Sequence, residues 1–501
     1  MNKPIKIIDL FAGPGGLGEG FASVGSDNNP VFKIAVSVEK EASAHSTLTL
    51  RAFTREFKNR VLPKEYYEYI RGKRTKEELI KTYPAQWAAA CEETLGGPVA
   101  LGKDNELIHR KIAAVLEKNK EPWVLIGGPP CQAYSLVGRA KNSGTKGYIA
   151  EDDGRHFLYK EYLDIIAKFE PSVFIMENVK GILSSKVNGK PIFDQILGDL
   201  KNPAQGELKY NIFSLSNAPR SNDLFGPVFT SKDFIIKSEE YGVPQTRHRV
   251  ILLGIRSDIG IDASQALLKK SPEVNVGQVL ANMPMLRSGL SKGHDNPENW
   301  QQIVQVALHN AAVLGDIDLD HILKNSLPKS RGKKFVFKKN TLSKKLPIQL
   351  KDWLADEKVG GIIQHETRGH MNSDIARYAY VSLFGSCHGR SPLISEFPEQ
   401  LLPNHKNVRS GKFVDRFKSQ VKHSPSKTIT SHIAKDSHAF IHFDPLQSRG
   451  LTVREAARIQ TFPENYFFEG NRTQQYVQVG NAVPPYLARL IGENVSKIFK
   501  C

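Results

Sequence analysis

WVLIGGPPCQAYS, Trp123 to Ser135, decides how the rest of the chain is read. Trp123 to Ile126 is an unbroken apolar run of the length of a buried parallel strand, and Pro129 and Pro130 stop its ladder because neither has an N–H to give. Cys131 comes next, on a stiff loop at the carboxyl edge of an open α/β sheet, where such folds bind ligands. A free cysteine is more often a small buried hydrophobe than a nucleophile, so its surroundings must decide its role.

Toward the amino terminus, Lys6 to Phe11 is a β-rich run that flows into DLFAGPGGLGEGF and then a helical stretch. Strand, glycine turn and helix let a backbone approach a bound nucleotide closely, and the turn suits NAD, a flavin or S-adenosylmethionine. A second strand, Lys33 to Val38, ends in Glu39, an acidic residue placed to hold ribose hydroxyls. Arg51 to about Leu95 is charged and helix-prone around Tyr66, Tyr67 and Ile70, which predicts an insertion or helical crossover outside the sheet. Val99 to Asp104 then offers Asp104 as an adenine contact.

Toward the carboxyl terminus, Gly138 to Asp153 is polar and glycine-bearing, the composition of a segment that closes over a ligand. Ser172 to Met176 reads as another buried strand, ending in Glu177-Asn178-Val179. Two strand ends thus offer a thiol and a carboxyl to one crevice, and a partly desolvated carboxyl can share a proton with a heterocycle's ring nitrogen. Gln245, Arg247 and Arg249 precede one more strand, Val250 to Ile255, and such arginines bind phosphate or a polarised carbonyl.

With 501 residues, 40% of them hydrophobic, the chain buries a large core and divides into at least two domains. The start, MNKPIKIIDLF, has no long apolar stretch, and no later segment approaches bilayer-spanning length, so a cytoplasmic protein without a membrane partner is expected. Cys91, Cys131, Cys387 and Cys501 are scattered with no CxxC pair, which gives neither a disulfide framework nor a zinc site, and no metal is expected. The net charge of +17 points to a polyanionic partner, against the alternative of a solvated basic surface.

Between Arg256 and about Ser424 the βα rhythm fades, and lysines thicken from Pro328 to Lys345 and again from His405 to Lys422, around Arg409, Arg416 and Lys418. Phe335, Phe337, Phe413 and Phe417 interleave with them, a pattern that suits phosphate contacts. His365 to Tyr380 reads as helical, and Lys427 to Asp436 as strand and turn. Thr452 is placed to cap a helix with Glu455 in its first turn, stopping at Phe462-Pro463. Asn481 sits in a turn before a helix that begins near Pro484.

The ordered set DLFAGPGG, Glu39, GGPPCQAYS, ENV, QTRHR, LTVREAARIQTFP and QVGNAVPP resembles the DNA (cytosine-5)-methyltransferases of bacterial restriction-modification across nearly the whole chain. The resemblance implies an α/β, Rossmann-like S-adenosylmethionine-dependent methyltransferase fold, a mostly parallel sheet with helices on both faces, and a smaller target-recognition domain. Residues 1–260, completed by 445–501, would bind cofactor and catalyse; 261–444 would read the target. Cys131 would add to cytosine C6, Glu177 would hold N3 and the exocyclic amine, and Arg249 and Arg247 would contact the base or its backbone. Phe11, Gly13, Gly15, Glu39, Asp104, Leu158 and Asn481 would hold S-adenosylmethionine. The substrate would be a short double-stranded DNA sequence with its target base rotated out of the stack. A monomer in the bacterial cytoplasm is implied, protecting host DNA from a restriction endonuclease that shares the site. The competing readings are a tRNA substrate, a non-catalytic DNA-binding protein that keeps the fold, and a dinucleotide-dependent oxidoreductase.

Overall fold

The computed structural model describes residues 3–26, 28–116, 121–130, 158–187, 190–204, 206–223, 226–260, 263–315, 326–339, 341–404 and 416–499. Cys131, the segment from Gly138 to Asp153, Arg409 and Phe413 therefore lie outside the described residues.

A seven-stranded sheet is built from β1 (Ile5–Leu10), β2 (Phe32–Val38), β3 (Trp123–Gly127), β4 (Val173–Val179), β5 (Tyr210–Phe213), β6 (Ile235–Lys237) and β7 (His248–Arg256). The spatial order is β6-β7-β4-β3-β1-β2, with β5 also on β7. β1 to β4 run parallel, and β7 is antiparallel to β4, β5 and β6. The run from Trp123 becomes a strand because every residue of β3 is buried, as an inner parallel strand covered on both faces requires. Alternation sends Ile7, Val124, Ile126, Ile175 and Ile251 into one core, and Ile8, Leu125, Phe174, Met176 and Leu252 into the other. Strand order reverses between β1 and β3, where open α/β sheets place a ligand crevice beyond the carboxyl ends of the strands.

Helices α1 (Gly16–Ala22), α2 (Ala42–Arg55), α3 (Lys64–Ile70), α4 (Lys76–Thr82) and α5 (Pro84–Glu93) follow β1 and β2. The helical insertion anticipated from Arg51 onward has its own apolar cluster, with Tyr66, Tyr67, Ile70 and Leu79 at its centre. Next come α6 (Asn105–Leu116), α7 (Leu158–Phe169), α8 (Ile192–Lys201), α9 (Val276–Leu280), α10 (Pro297–Gly315), α11 (Ile348–Leu354), α12 (Asn372–His388), α13 (Val453–Ile459), α14 (Arg472–Asn481) and α15 (Pro485–Ile498). Apolar residues of α6, α7 and α8 cover one face of the sheet, those of α1 and α15 the other. Residues of α9 and α11, from the stretch expected to form the recognition domain, join this second core.

The stretch from His365 to Tyr380 is not helical throughout. A hairpin pairs β8 (Gly332–Phe337) with β9 (Gly361–Glu366), and α12 begins only at Asn372. Gly361 explains the pairing: a Cβ there would stand 2.3 Å from the Val336 carbonyl oxygen, so only glycine lets the two backbones meet. Thr452 caps α13 in a reciprocal capping box with Glu455, as its sequence signature predicts. The helix ends at Ile459, and Thr461 then takes a left-handed φ of 64°.

Candidate active site

On the β1 side of the crevice, the chain leaves the strand through Phe11 at φ 55°, Gly13 at φ 58° and Gly15 at φ 97°. Gly13 has open space where a Cβ would stand, so its left-handed backbone, not crowding, calls for glycine. The turn is held by Glu39 at the end of β2, whose carboxylate accepts N–H bonds from Gly13 at 2.8 Å and Glu41 at 2.7 Å. Gly16 serves packing instead: its missing Cβ would lie 2.4 Å from the Val483 carbonyl oxygen, which seats the NAV segment on the turn. Asn481, exposed at the end of α14, opens that segment.

The loop after α5 reaches the same edge, where Val99 N–H donates to the Glu39 carbonyl at 2.9 Å. Asp104 is exposed, and its carboxylate accepts the Ala100 N–H at 2.8 Å. Leu158, first residue of α7, packs against Gly102 of this loop. Of the residues expected at a cofactor, Phe11, Gly13, Gly15 and Glu39 therefore form one turn, with Asp104, Leu158 and Asn481 on flanking segments.

On the β4 side, register sets Ile251 opposite Glu177 and Arg249 opposite Val179, so both charged side chains stand at the strand ends. Arg249 Nε donates to Glu177 Oε1 at 2.8 Å, with side chains 13% and 15% exposed. Burial pushes the Arg249 guanidinium below its usual range, opposed by the Glu177 charge. The other carboxylate oxygen of Glu177 lies against Gly128, 2.8 Å from where a Cβ would be, and Asn178 Nδ2 donates to the Pro129 carbonyl at 3.2 Å. The ENV segment thus grips the GGPP loop, whose last described residue, Pro130, is bonded to Cys131.

Arg247 is placed differently from the expectation that it contacts a base. It is 1% exposed, and its guanidinium donates to the carbonyls of Ile429 at 2.8 Å and Gly480 at 3.2 Å. Those bonds tie the entry of β7 to α14, which makes Arg247 a brace beneath the site.

Two contributors went unread in the sequence. Asn178 carried no assigned role, although an amide beside a strand-end carboxyl suits clamping a neighbouring loop. Arg51 bonds Glu19 through Nη2 and Nε, at 2.6 and 3.2 Å, and lies 4.4 Å over the Tyr466 ring, whose hydroxyl donates to the Pro14 carbonyl. The glycine turn is therefore steadied from the far end of the chain.

Among the described residues, no group of three or more His, Cys, Asp or Glu is arranged to hold a metal, and no helix is long and apolar enough to cross a membrane.

The strand order, the crevice at the reversal and the charged strand ends define a Rossmann-like methyltransferase fold. The solved structure of an E. coli prophage-encoded protein described as a "putative DNA modification methyltransferase" has the same fold, with a TM-score of 0.53 over 99% of this chain and 100% of that one, at 18% identity. The chain belongs to the family described as C-5 cytosine-specific DNA methylase, whose profile matches residues 62–497. It is similar to the type II methyltransferase M.Bpa9945I of Bacillus paralicheniformis, at 31% identity over 98% of both chains. M.AgeI of Thalassovita gelatinovora is 25% identical, covering 98% of this chain and 99% of its own. The enzyme class is DNA (cytosine-5-)-methyltransferase.

Proposed function

We propose that the protein methylates cytosine C5 within a short specific sequence of double-stranded DNA, through a covalent bond between Cys131 and C6 of a base flipped from the duplex. The observation that carries this reading is the Glu177 carboxylate, oriented by Arg249 against the loop that leads into Cys131. Cytosine C5 is a poor nucleophile until another group adds at C6, and a thiolate does so well. A free thiol titrates near about 8.5, so attack needs the thiolate favoured or its proton removed.

The Cys131 sulfur forms a bond to C6 while Glu177 holds a proton at N3 and accepts from the exocyclic amine. Electron density then gathers at C5. Arg249, bonded to one carboxylate oxygen, leaves the other for the base. Phe11, Gly13, Gly15, Glu39, Asp104, Leu158 and Asn481 are assigned to hold S-adenosylmethionine, and the open left-handed turn at Gly13 fits close approach of such a group. When bound, S-adenosylmethionine supplies the methyl group that the activated C5 takes. Loss of the C5 proton to a base then lets the S–C6 bond break and returns the thiolate. A stacked base cannot reach these groups, and extruding it costs a few kcal/mol.

The division into 1–260 with 445–501 for catalysis and 261–444 for recognition is supported by the packing of α15 on α1 and by the lysine-rich middle. Action as a monomer in the bacterial cytoplasm, protecting host DNA from an endonuclease with the same site, completes the proposal.

Cys131→Ser should abolish methyl transfer while sparing S-adenosylmethionine binding, measured by tritium transfer and calorimetry. Substantial residual transfer refutes the nucleophile assignment. Bisulfite sequencing of host DNA should reveal a methylated sequence; modified tRNA beside unmodified DNA would sink the substrate assignment.

A further inference from the structure

From Pro328 to Lys351 the chain carries lysines and Arg331 but not one Asp or Glu. Six residues of this stretch form a paired strand, β8, held to β9 from Gly332↔Glu366 to Phe337↔Gly361. Lys333, Lys334, Lys339, Lys344 and Lys345 are exposed, and among the described residues neither they nor Lys338 form an ion pair; Arg331 pairs with Asp295. Phe337, between these lysines, is 72% exposed. Uncompensated cations on and just beyond a fixed strand oppose one another unless a polyanion faces them.

The helical insertion holds this hairpin. Val359 and Ile363 share an apolar cluster with Tyr66, Tyr67, Ile70 and Leu79. Tyr67 donates its hydroxyl to Asp356 at 2.8 Å, and Arg71 Nε donates to the Val359 carbonyl at 2.8 Å while its guanidinium lies 5.7 Å over Phe335.

We propose that this lysine-rich hairpin clamps the phosphate backbone of duplex DNA flanking the methylated cytosine, with the helices between 56 and 95 as its mount. The inference rests on the methyltransferase reading for its DNA. A six-residue strand spans about 20 Å, the axial length of about six phosphates on one strand. The contact is sequence-independent, adding affinity and orientation while other residues read bases.

The test is fluorescence anisotropy with a labelled duplex of about 30 base pairs and arbitrary sequence, titrated at several salt concentrations. Replacing Lys333, Lys334, Lys338 and Lys339 by Gln should reduce the slope of log K against log salt by up to about 3.6, since each phosphate contact contributes about 0.9. Lys338→Glu with Lys339→Glu, beyond the paired strand, should act in the same direction. Arg71→Ala, which keeps every lysine, should also lower the slope, and Arg71→Lys should restore it. An unchanged slope in the lysine variants, with wild-type melting temperatures, overturns the clamp; an unchanged slope in Arg71→Ala overturns the mount. Wild-type protein that binds duplex with the full slope yet methylates no DNA sinks the methyltransferase reading and leaves the clamp standing.

Discussion

The charged groups at the carboxyl edge of the sheet and those in the 449–464 segment differ in what faces them. At the edge, Glu177 and Arg249 hold each other and stay 15% and 13% exposed. In the segment, Arg449, Arg454 and Arg458 are fully buried and face only protein. Arg449 grips Glu455 with two bonds of 2.7 Å, Arg458 grips Glu464 at 3.0 and 2.6 Å, and Arg454 donates to the carbonyls of Ile363, Pro463 and Tyr466. The edge pair lies in two of the ordered motifs, and the segment spans a third, Leu451 to Pro463. A family signature thus mixes a partly exposed strand-end pair with groups spent on joining β9, α13 and the turn that follows.

The comparison breaks most readily at Glu455. Glu455→Gln leaves Arg449 as a buried charge without its partner, which should cost about 3–5 kcal/mol of unfolding free energy in a urea titration. A loss below about 1 kcal/mol would place this pair with ordinary surface ion pairs. At the crevice the expected damage is kinetic. Glu177→Gln should slow methyl transfer by about 10²–10³-fold, about 3–4 kcal/mol of transition-state stabilisation, with a smaller loss of stability than Glu455→Gln. If the two variants exchange signatures, with Glu177→Gln merely unstable and Glu455→Gln merely slow, the assignment of roles is reversed.

The sheet was legible because its strands are short apolar runs punctuated by glycine and proline, and because the strand-end carboxyls Glu39 and Glu177 are local features. Arg247 and Arg249 were not separable by sequence. They stand two residues apart on the way into one strand, yet Arg247 is buried by Ile429 and Gly480, 182 and 233 residues further on. The same distance hid β9. Its partner strand ends at Phe337, beyond the reach of local periodicity, so His365 to Tyr380 looked like one helix. The Asn178 bond to the Pro129 carbonyl, which fixes the loop leading into Cys131, required the fold.

The buried segment also makes a pH signature. His365 is fully buried, bonded through Nδ1 to the Thr452 hydroxyl at 2.9 Å and through Nε2 to the Pro284 carbonyl at 3.4 Å. A carbonyl only accepts, so Nε2 carries the hydrogen and Nδ1 accepts from Thr452: the neutral ring meets both partners. Burial lowers the His365 pKa to about 4, against its neighbour Glu455, which favours the charged ring. The unfolded chain takes up this proton near about 6.5, so stability is intact above that pH and falls as pH drops toward 4, by up to about 1.4 kcal/mol per unit. Asp9 and Glu93, whose carboxyls burial pushes upward, act with the opposite sign, since their folded forms bind protons the unfolded chain has released. The total slope therefore mixes both, and the informative quantity is a difference. His365→Gln keeps a donor and an acceptor but cannot titrate, so between pH 6.5 and 5 its unfolding free energy should fall less steeply than the wild type's by about 1 kcal/mol per unit. Parallel wild-type and variant curves would mean that the unfolded imidazole gains no proton the folded one lacks, and the segment would then hold its histidine no differently from an exposed one.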